Sequence, residues 1–163
     1  MARKPHISRN LNAFLDMIAW SELGDKLIKK SDDGYNVIVG STPAKPDLFN
    51  DYSKHPGKYI KLSATLTSSA AGRYQILEKY AKHYIVSFNL KDFGPVSQDT
   101  IAIQLIKECK ALGLIEAGKI EQAIKACSSR WASFTGAGYG QHEHTIEDLV
   151  AHYIAYGGVT GHG

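Results

Sequence analysis

The stretch Ala13-Phe-Leu-Asp-Met-Ile-Ala-Trp-Ser-Glu22-Leu-Gly24 decides how the rest of the chain is read. Leu11, Phe14, Leu15, Ile18 and Ala19 recur at i, i+3, i+4, i+7 and i+8, the period of an amphipathic helix. Ser8 or Asn10 is placed to cap that helix, which runs to about Leu23, with Gly24 as its C-cap. One more step of four from Ile18 reaches Glu22, a carboxylate where the stripe calls for a core residue. Burial and the negative end of the helix dipole both disfavour its charged form and raise its pKa. A general acid working near neutral pH needs that shift. Periodicity alone leaves a second reading open, a last-turn Glu that swings into water.

Working outward, 163 residues make one domain with room for a real core. A formal charge of +3 favours an anionic partner such as a cell wall, but it is not the clustered basic excess of a nucleic-acid binder. No run approaches the length of a membrane span. The N-terminus has signal-like charge without the apolar run that should follow, because Asn10, Asn12 and Asp16 interrupt it. No signal peptide and no membrane insertion are therefore expected. Cys109 and Cys127 both fall on apolar helical faces and read as small core residues.

Downstream, Asp25 to Gly34 reads as a polar turn, Tyr35 to Val39 as a short strand, and Thr42 to Gly57 as an irregular loop. Lys58 to Leu62 reads as a second strand, and Ser63 to Ser69 as a polar lead-in to a helix from near Ala70 to Ile85. That helix would bury Tyr74, Leu77, Ala81 and Ile85. Ser97 caps another helix carrying Ile101, Leu105, Ile106, Cys109 and Leu112. Gly113 and Gly118 bracket a turn, and Ile120, Ala123, Ile124 and Cys127 mark the next helix. Ser133 to His144 is a Gly-rich loop, and Thr145 opens a last helix with a capping-box pattern. The expected fold class is α+β: a mostly helical body, a small N-terminal antiparallel β lobe at roughly residues 25–65, and a cleft between them. The tail from 158 to 163 is expected to fray.

Two further segments carry chemistry. Ala71-Gly-Arg-Tyr-Gln75 pairs a glycine, which lets a ligand approach the backbone, with Gln75, an amide donor and acceptor suited to an N-acetyl group or a sugar hydroxyl. An ordinary helix start with a surface Gln is the competing reading. Gly136-Ala-Gly-Tyr-Gly-Gln141 presents Tyr139, able to stack on a sugar face, or else is a plain connector. His142-Glu143-His144 lacks the His-x-x-x-His spacing of a helical zinc site, so no metal is expected, and no nucleotide fingerprint is present. His55 and His83 read as surface or lip residues. No cofactor is called for.

Six blocks stand in order: residues 13–22, Gly34-Tyr-Asn-Val-Ile-Val-Gly40, Asp51-Tyr-Ser-Lys-His-Pro56, residues 71–75, Leu90-Lys-Asp-Phe93 with Ser97-Gln-Asp99, and Trp131-Ala-Ser133 with residues 136–141. Taken together, they resemble the lambda-type phage endolysins of the lysozyme-like superfamily. Their order and spacing agree over roughly residues 12 to 158. The resemblance implies a single lysozyme-like catalytic domain over 1–163 that cuts peptidoglycan between N-acetylmuramic acid and N-acetylglucosamine. It implies a lytic transglycosylase, with Glu22 as the single acid and base and 1,6-anhydro ends as product; a hydrolytic muramidase and a non-catalytic glycan-binding module are the alternatives. It also implies substrate-binding roles for Asn36, Tyr52, Gln75, Tyr139 and Gln141, with Tyr52 on an upper lip and Phe134 to Gln141 on a lower one. Asn36 stands where the resemblance implies an Asp, and an amide cannot be a base. Asp25, Asp32 and Asp33 remain as candidate second carboxylates, all in polar turn sequence. The implied setting is a host bacterial cytoplasm, with access to the periplasmic wall at lysis through a separate holin, and the implied state is a monomer.

Overall fold

The structure is a computed structural model that describes residues 1–131, 133–134 and 144–161. It comprises α1 (Arg9–Leu23), α2 (Asp25–Lys29), β1 (Ile60–Lys61), β2 (Thr67–Ser68), α3 (Glu78–Ser87), α4 (Pro95–Glu108), α5 (Leu112–Glu116), α6 (Ile120–Cys127) and α7 (Ile146–Ala155). The α+β reading holds: mostly helix, with one two-stranded antiparallel pair in the described residues. The chain forms two compact units, a discontinuous one of residues 1–22 and 102–163, and a continuous one of residues 23–101.

In the discontinuous unit, α1 is buried well beyond one stripe. Ala13 and Met17 join Leu11, Phe14, Leu15, Ile18 and Ala19 in the core, and Phe14 meets Phe134 edge-on at 6.3 Å. A helix apolar on most sides is a core helix rather than a surface one. Its one buried acid in mid-helix, Asp16, lies 3.5 Å from the N-terminal ammonium. Ser8 caps the helix as expected, its Oγ accepting the Leu11 amide at 3.0 Å. Helix α6 buries Ile120, Ala123, Ile124 and Cys127, the residues its period selects. Thr145 caps α7 by accepting the Asp148 amide at 3.1 Å.

Two expectations fail in this unit. Between Gly113 and Gly118 the chain makes the short helix α5 rather than a turn, because neither glycine interrupts Leu112–Glu116: Gly113 lies within it and Gly118 follows it. The tail does not fray over residues 158–161. Val159 donates its amide to Asn10 Oδ1 at 3.0 Å, Gly161 to Gly118 O at 3.0 Å, and Tyr153 donates its hydroxyl to Val159 O at 2.9 Å. The last two residues lie outside those described.

In the continuous unit the β structure is sparser than expected. Tyr35 to Val39 forms no strand; Val37 bridges to Leu48 and Ile38 to Ala71. Gly34 and Gly40 at φ 86° and 84° turn the chain at either end of that run, which leaves no length to extend the ladder. The second strand survives as Ile60–Lys61, paired with Thr67–Ser68 inside the segment read as a polar lead-in. Asp25 to Lys29 is helical rather than a turn. The helix expected from Ala70 begins only at Glu78, with Leu77 extended before it. Residues 71–76 instead close a tight turn in which Ala71 bridges to Ile76, and Gly72 and Gln75 take φ 86° and 52°. Two left-handed residues so close together exclude an α-helix. Helix α4 starts at Pro95, a favoured first position, and not after Ser97, whose Oγ instead donates to Asp92 Oδ1 at 2.8 Å.

Candidate active site

Glu22 occupies the last turn of α1, and Gly24 at φ 79° separates that helix from α2. The residue keeps some exposure, but its carboxyl is enclosed, and burial pushes its pKa from 4.5 up to about 8. A hydrogen bond from Ser133 opposes the rise without cancelling it. At neutral pH the group is therefore mostly protonated, able to donate a proton and, once ionised, basic enough to take one back.

Its surroundings in the discontinuous unit were only partly legible in advance. Ser133 Oγ donates to Ser21 Oγ at 2.9 Å, and Ser21 Oγ donates to Ile18 O at 2.8 Å. His144 Nε2 lies 3.1 Å from Ser21 O; a carbonyl only accepts, so that nitrogen carries the proton. His152 stacks on Trp20 with ring centroids 3.4 Å apart, and His144 lies at 4.3 Å from the same ring. The last turn of α1 is thus held by side chains from far along the sequence. Ser21 and His144 carry no periodic signal for this role, whereas Ser133 stands in the quoted Trp131-Ala-Ser133 block.

Three of the proposed glycan-binding residues form a connected set in the continuous unit. Tyr52 donates its hydroxyl to Asp32 Oδ2 at 2.7 Å, and the Asp32 amide donates to Asn36 Oδ1 at 2.8 Å. Gln75 Nε2 donates to Gly72 O at 2.8 Å and to Val37 O at 3.3 Å, next to Asn36. The amide donors of Gln75 are thereby engaged, so Oε1 is what it offers a ligand, not a donor–acceptor pair. Asp32, read from the sequence only as a candidate second carboxylate in a polar turn, is the hub that joins Tyr52 to Asn36. Tyr139 and Gln141, and most of the loop that carries them, lie outside the described residues, as do His142 and Glu143.

The three alternative carboxylates are all engaged. Asp25 pairs with Lys29 at 2.9 Å on the surface, Asp32 holds Tyr52, and Asp33 lies 3.8 Å from the Arg73 guanidinium. Arg73 is 2% exposed and also donates through Nη1 to the Tyr74 hydroxyl at 3.0 Å. Gln98 Oε1 accepts the Arg73 amide at 3.0 Å, and its Nε2 donates to Tyr35 O and Phe93 O. The Ala71–Gln75 and Ser97–Asp99 blocks thus meet in a buried polar network that fixes the turn bearing Gln75. His55 is buried rather than a surface or lip residue: Nδ1 accepts the Gly57 amide at 2.9 Å and Nε2 donates to Ile76 O at 2.8 Å. Burial lowers its pKa. Cys127 is buried as expected and Cys109 half-buried, and burial pushes the Cys127 thiol up.

The endolysin family model matches residues 12–160, running through both units. The endolysin of Escherichia phage lambda is 48% identical over 153 residues, covering 93% of this chain and 94% of that protein. The endolysin of Escherichia phage P2 is 46% identical over 156 residues, with the same coverage. Among solved structures, bacteriophage lambda lysozyme complexed with a chitohexasaccharide superposes with a TM-score of 0.88 at 47% identity, covering 95% of this chain and 98% of that one. A second structure of the lambda lysozyme gives 0.83 at 45% identity. Identity of this order across nearly the whole length, carried on the same fold, means that the chain belongs to the endolysin family of phage enzymes that cleave the bacterial cell wall.

Proposed function

We propose that the chain is a lytic transglycosylase acting on the β-1,4 bond between N-acetylmuramic acid and N-acetylglucosamine. The observation that carries the reading is Glu22, a helix-end carboxyl that burial holds protonated to about pH 8. In the first half of the reaction Glu22 gives its proton to the glycosidic oxygen as the bond to the muramoyl anomeric carbon breaks. In the second half the ionised carboxylate takes the proton of the muramoyl 6-hydroxyl as that oxygen bonds to the anomeric carbon. Glu22 ends as it began and no water is consumed.

Hydrolysis by two carboxyl groups needs a second one free to activate water or attack the sugar. The engagement of Asp25, Asp32 and Asp33 in pairs of their own favours the one-carboxylate route. A glycan substrate is supported by the lambda lysozyme structure that holds a chitohexasaccharide. Asn36, Tyr52 and Gln75 are then the binding residues of the continuous unit, and Tyr139 and Gln141 those of the Gly-rich loop. No described helix is long and apolar enough to cross a membrane, which fits the further proposal that a separate holin opens the route to the wall for a monomeric enzyme.

Mass spectrometry of muropeptides released from purified walls tests the reading. Anhydro ends, one water lighter than reducing ends, are expected; reducing ends would establish the hydrolytic muramidase instead. Glu22→Gln is expected to abolish wall clearing with the fold retained. Absence of clearing by the native chain would leave the non-catalytic glycan-binding module.

A further inference from the structure

We infer that His55 is a positioning residue of the continuous unit, a neutral clasp that ties the segment bearing Tyr52 to the turn bearing Gln75 and opens when its ring is protonated. The inference rests on the reading of Tyr52 and Gln75 as glycan-binding residues.

His55 stands near the end of the Asp51-Tyr-Ser-Lys-His-Pro56 block, in the same short segment as Tyr52. Its ring is 5% exposed and packs on Phe93 with centroids 4.9 Å apart. Nε2 lies 2.8 Å from Ile76 O, the carbonyl of the residue that follows Gln75. A carbonyl only accepts, so Nε2 carries a proton. Nδ1 accepts the Gly57 amide at 2.9 Å, so it presents a lone pair. That bond spans Pro56, whose ring restricts the backbone between the two residues. The other side of the clasp is equally set. Ala71 and Ile76 exchange backbone hydrogen bonds at 3.1 and 2.9 Å, closing the turn in which Gln75 sits at φ 52°. One imidazole thus joins two segments that lie 21 residues apart in the chain.

The geometry fits one protonation state. In the neutral Nε2–H tautomer each ring nitrogen has the partner it requires. The imidazolium carries N–H at both positions, so its Nδ1–H meets the Gly57 N–H, donor against donor. Staying in place would leave two buried donors unpaired and a charge desolvated against Phe93. The protonated ring therefore moves toward water and gives up Ile76 O. Tyr52 and Gln75 then lose the link between their segments, and a glycan must order on binding what the clasp had already ordered.

From α3, Glu78 and Lys82 act on the ring, the first favouring its charge and the second opposing it. Glu78 accepts the Tyr59 hydroxyl at 2.7 Å and lies 3.7 Å from Lys82. Next to Phe93, Asp92 is engaged by the Gly94 amide and the Ser97 hydroxyl. In the Tyr52 segment, Asp51 accepts the Ser53 amide and feels the charge of Lys54. Burial outweighs both Glu78 and the bond to Ile76 and holds the His55 pKa below its ordinary 6.5. The clasp is thus closed at neutral pH and opens on the acid side of that value.

The experiment follows the His55 ring by NMR from pH 8 to pH 4 in the native chain, and measures binding of a chitohexasaccharide over the same range in the native chain and in His55→Gln. Gln can still donate to Ile76 O but does not titrate. Native affinity is expected to fall about fivefold or more with the midpoint of the ring, and the protection of the Gly57 amide from hydrogen exchange to fall with it. His55→Gln is expected to hold one affinity across the range. A flat native affinity, a midpoint that departs from that of the ring, or the same fall retained by His55→Gln would overturn the inference. Should His55→Gln not fold, the two native midpoints decide. Tyr52→Phe and Gln75→Ala that both bind the glycan as tightly as the native chain at pH 7 would instead defeat the glycan-binding reading. The Gly57 amide still judges the clasp in that case, since protection retained beside a protonated ring would overturn it.

Discussion

Tyr74 donates its hydroxyl to Oδ1 of Asp99 at 2.5 Å, wholly inside the core of the continuous unit. Tyr35 donates to the same oxygen at 2.9 Å, and the Arg73 guanidinium lies 5.4 Å and 5.5 Å from the two ring centres. One carboxylate thus serves two phenols, with a buried cation against both rings. Removing it takes the acceptor from both buried hydroxyls beside a buried cation. Asp99→Ala is expected to destabilise the chain by about 3–5 kcal/mol, and Tyr35→Phe, which deletes one bond, by about 1–2 kcal/mol. Urea unfolding measures both, and equal losses would refute the shared-acceptor account.

The stability of the enzyme should depend on Glu22 in a definite direction. Its folded pKa of about 8 lies above the ordinary 4.5, so between those values the folded chain binds more protons than the unfolded one. Stability contributed by this group is full below pH 4.5, declines as pH rises, and is lost above about pH 8. The shift corresponds to on the order of 5 kcal/mol between the two limits. Glu22→Gln cannot ionise and should be more stable than the native chain at pH 9, with the advantage shrinking toward pH 5. Thermal melts across that range check it, and a constant difference would count against a buried acid.

Activity should follow the same group. In the proposed mechanism the first proton transfer requires protonated Glu22, so clearing of walls should fall above about pH 8 with a single ionisation. An alkaline limb near the ordinary carboxylate range would mean that the carboxyl is solvated when substrate arrives.

Two glycines offer a paired test of backbone and space. A Cβ at Gly72 would lie 2.3 Å from Gln98 Oε1, whereas at Gly24 nothing lies within 4 Å, and both residues have positive φ. Gly24, at φ 79° and ψ 156°, lies where essentially only glycine is at ease, so Gly24→Ala should cost backbone strain alone, about 1–3 kcal/mol, while Gly72→Ala adds the displacement of a buried amide to its own strain and should cost more. Chemical denaturation gives the ranking.

Asn36→Asp tests the binding role given to that residue. A carboxylate oxygen can still accept the Asp32 amide, so the turn should persist, but the amide donor is lost and a second negative charge is placed beside Asp32. Stability is expected to fall by no more than about 1 kcal/mol, glycan affinity to fall several-fold, and the products to keep anhydro ends. Reducing ends from this variant would show that position 36 sets the outcome of the reaction.

The helical period of residues 11–19 was enough to place α1 and to single out Glu22 as an acid in apolar register. Ser8 and Thr145 were equally readable, because a cap is a local bond between near neighbours. The Ala71–Gln75 segment was misread as helix because its conformation is set from elsewhere, by Gln98 on α4 holding the Arg73 amide. Tyr35 to Val39 has strand composition, but its glycines leave room only for isolated bridges. Ser21 and Ser133 lie 112 residues apart, a pairing that no local pattern announces.

The split of one unit around the other bears on how the chain is made. Helix α1 leaves the ribosome first, yet its partners within residues 102–161 are synthesised only after all of 23–101. Phe14, Met17 and Ile18 must wait, as a greasy segment without a core, until Phe134 and the C-terminal helices arrive. The continuous unit has its whole sequence at hand much earlier. Vectorial synthesis therefore sets an order in which the turn around Asp32 can form while the end of α1 that bears Glu22 is still unsupported, and a nascent chain stalled before residue 102 exposes α1 to chaperones and proteases. On the proposed role of Glu22, lytic capacity is then withheld until translation is nearly complete.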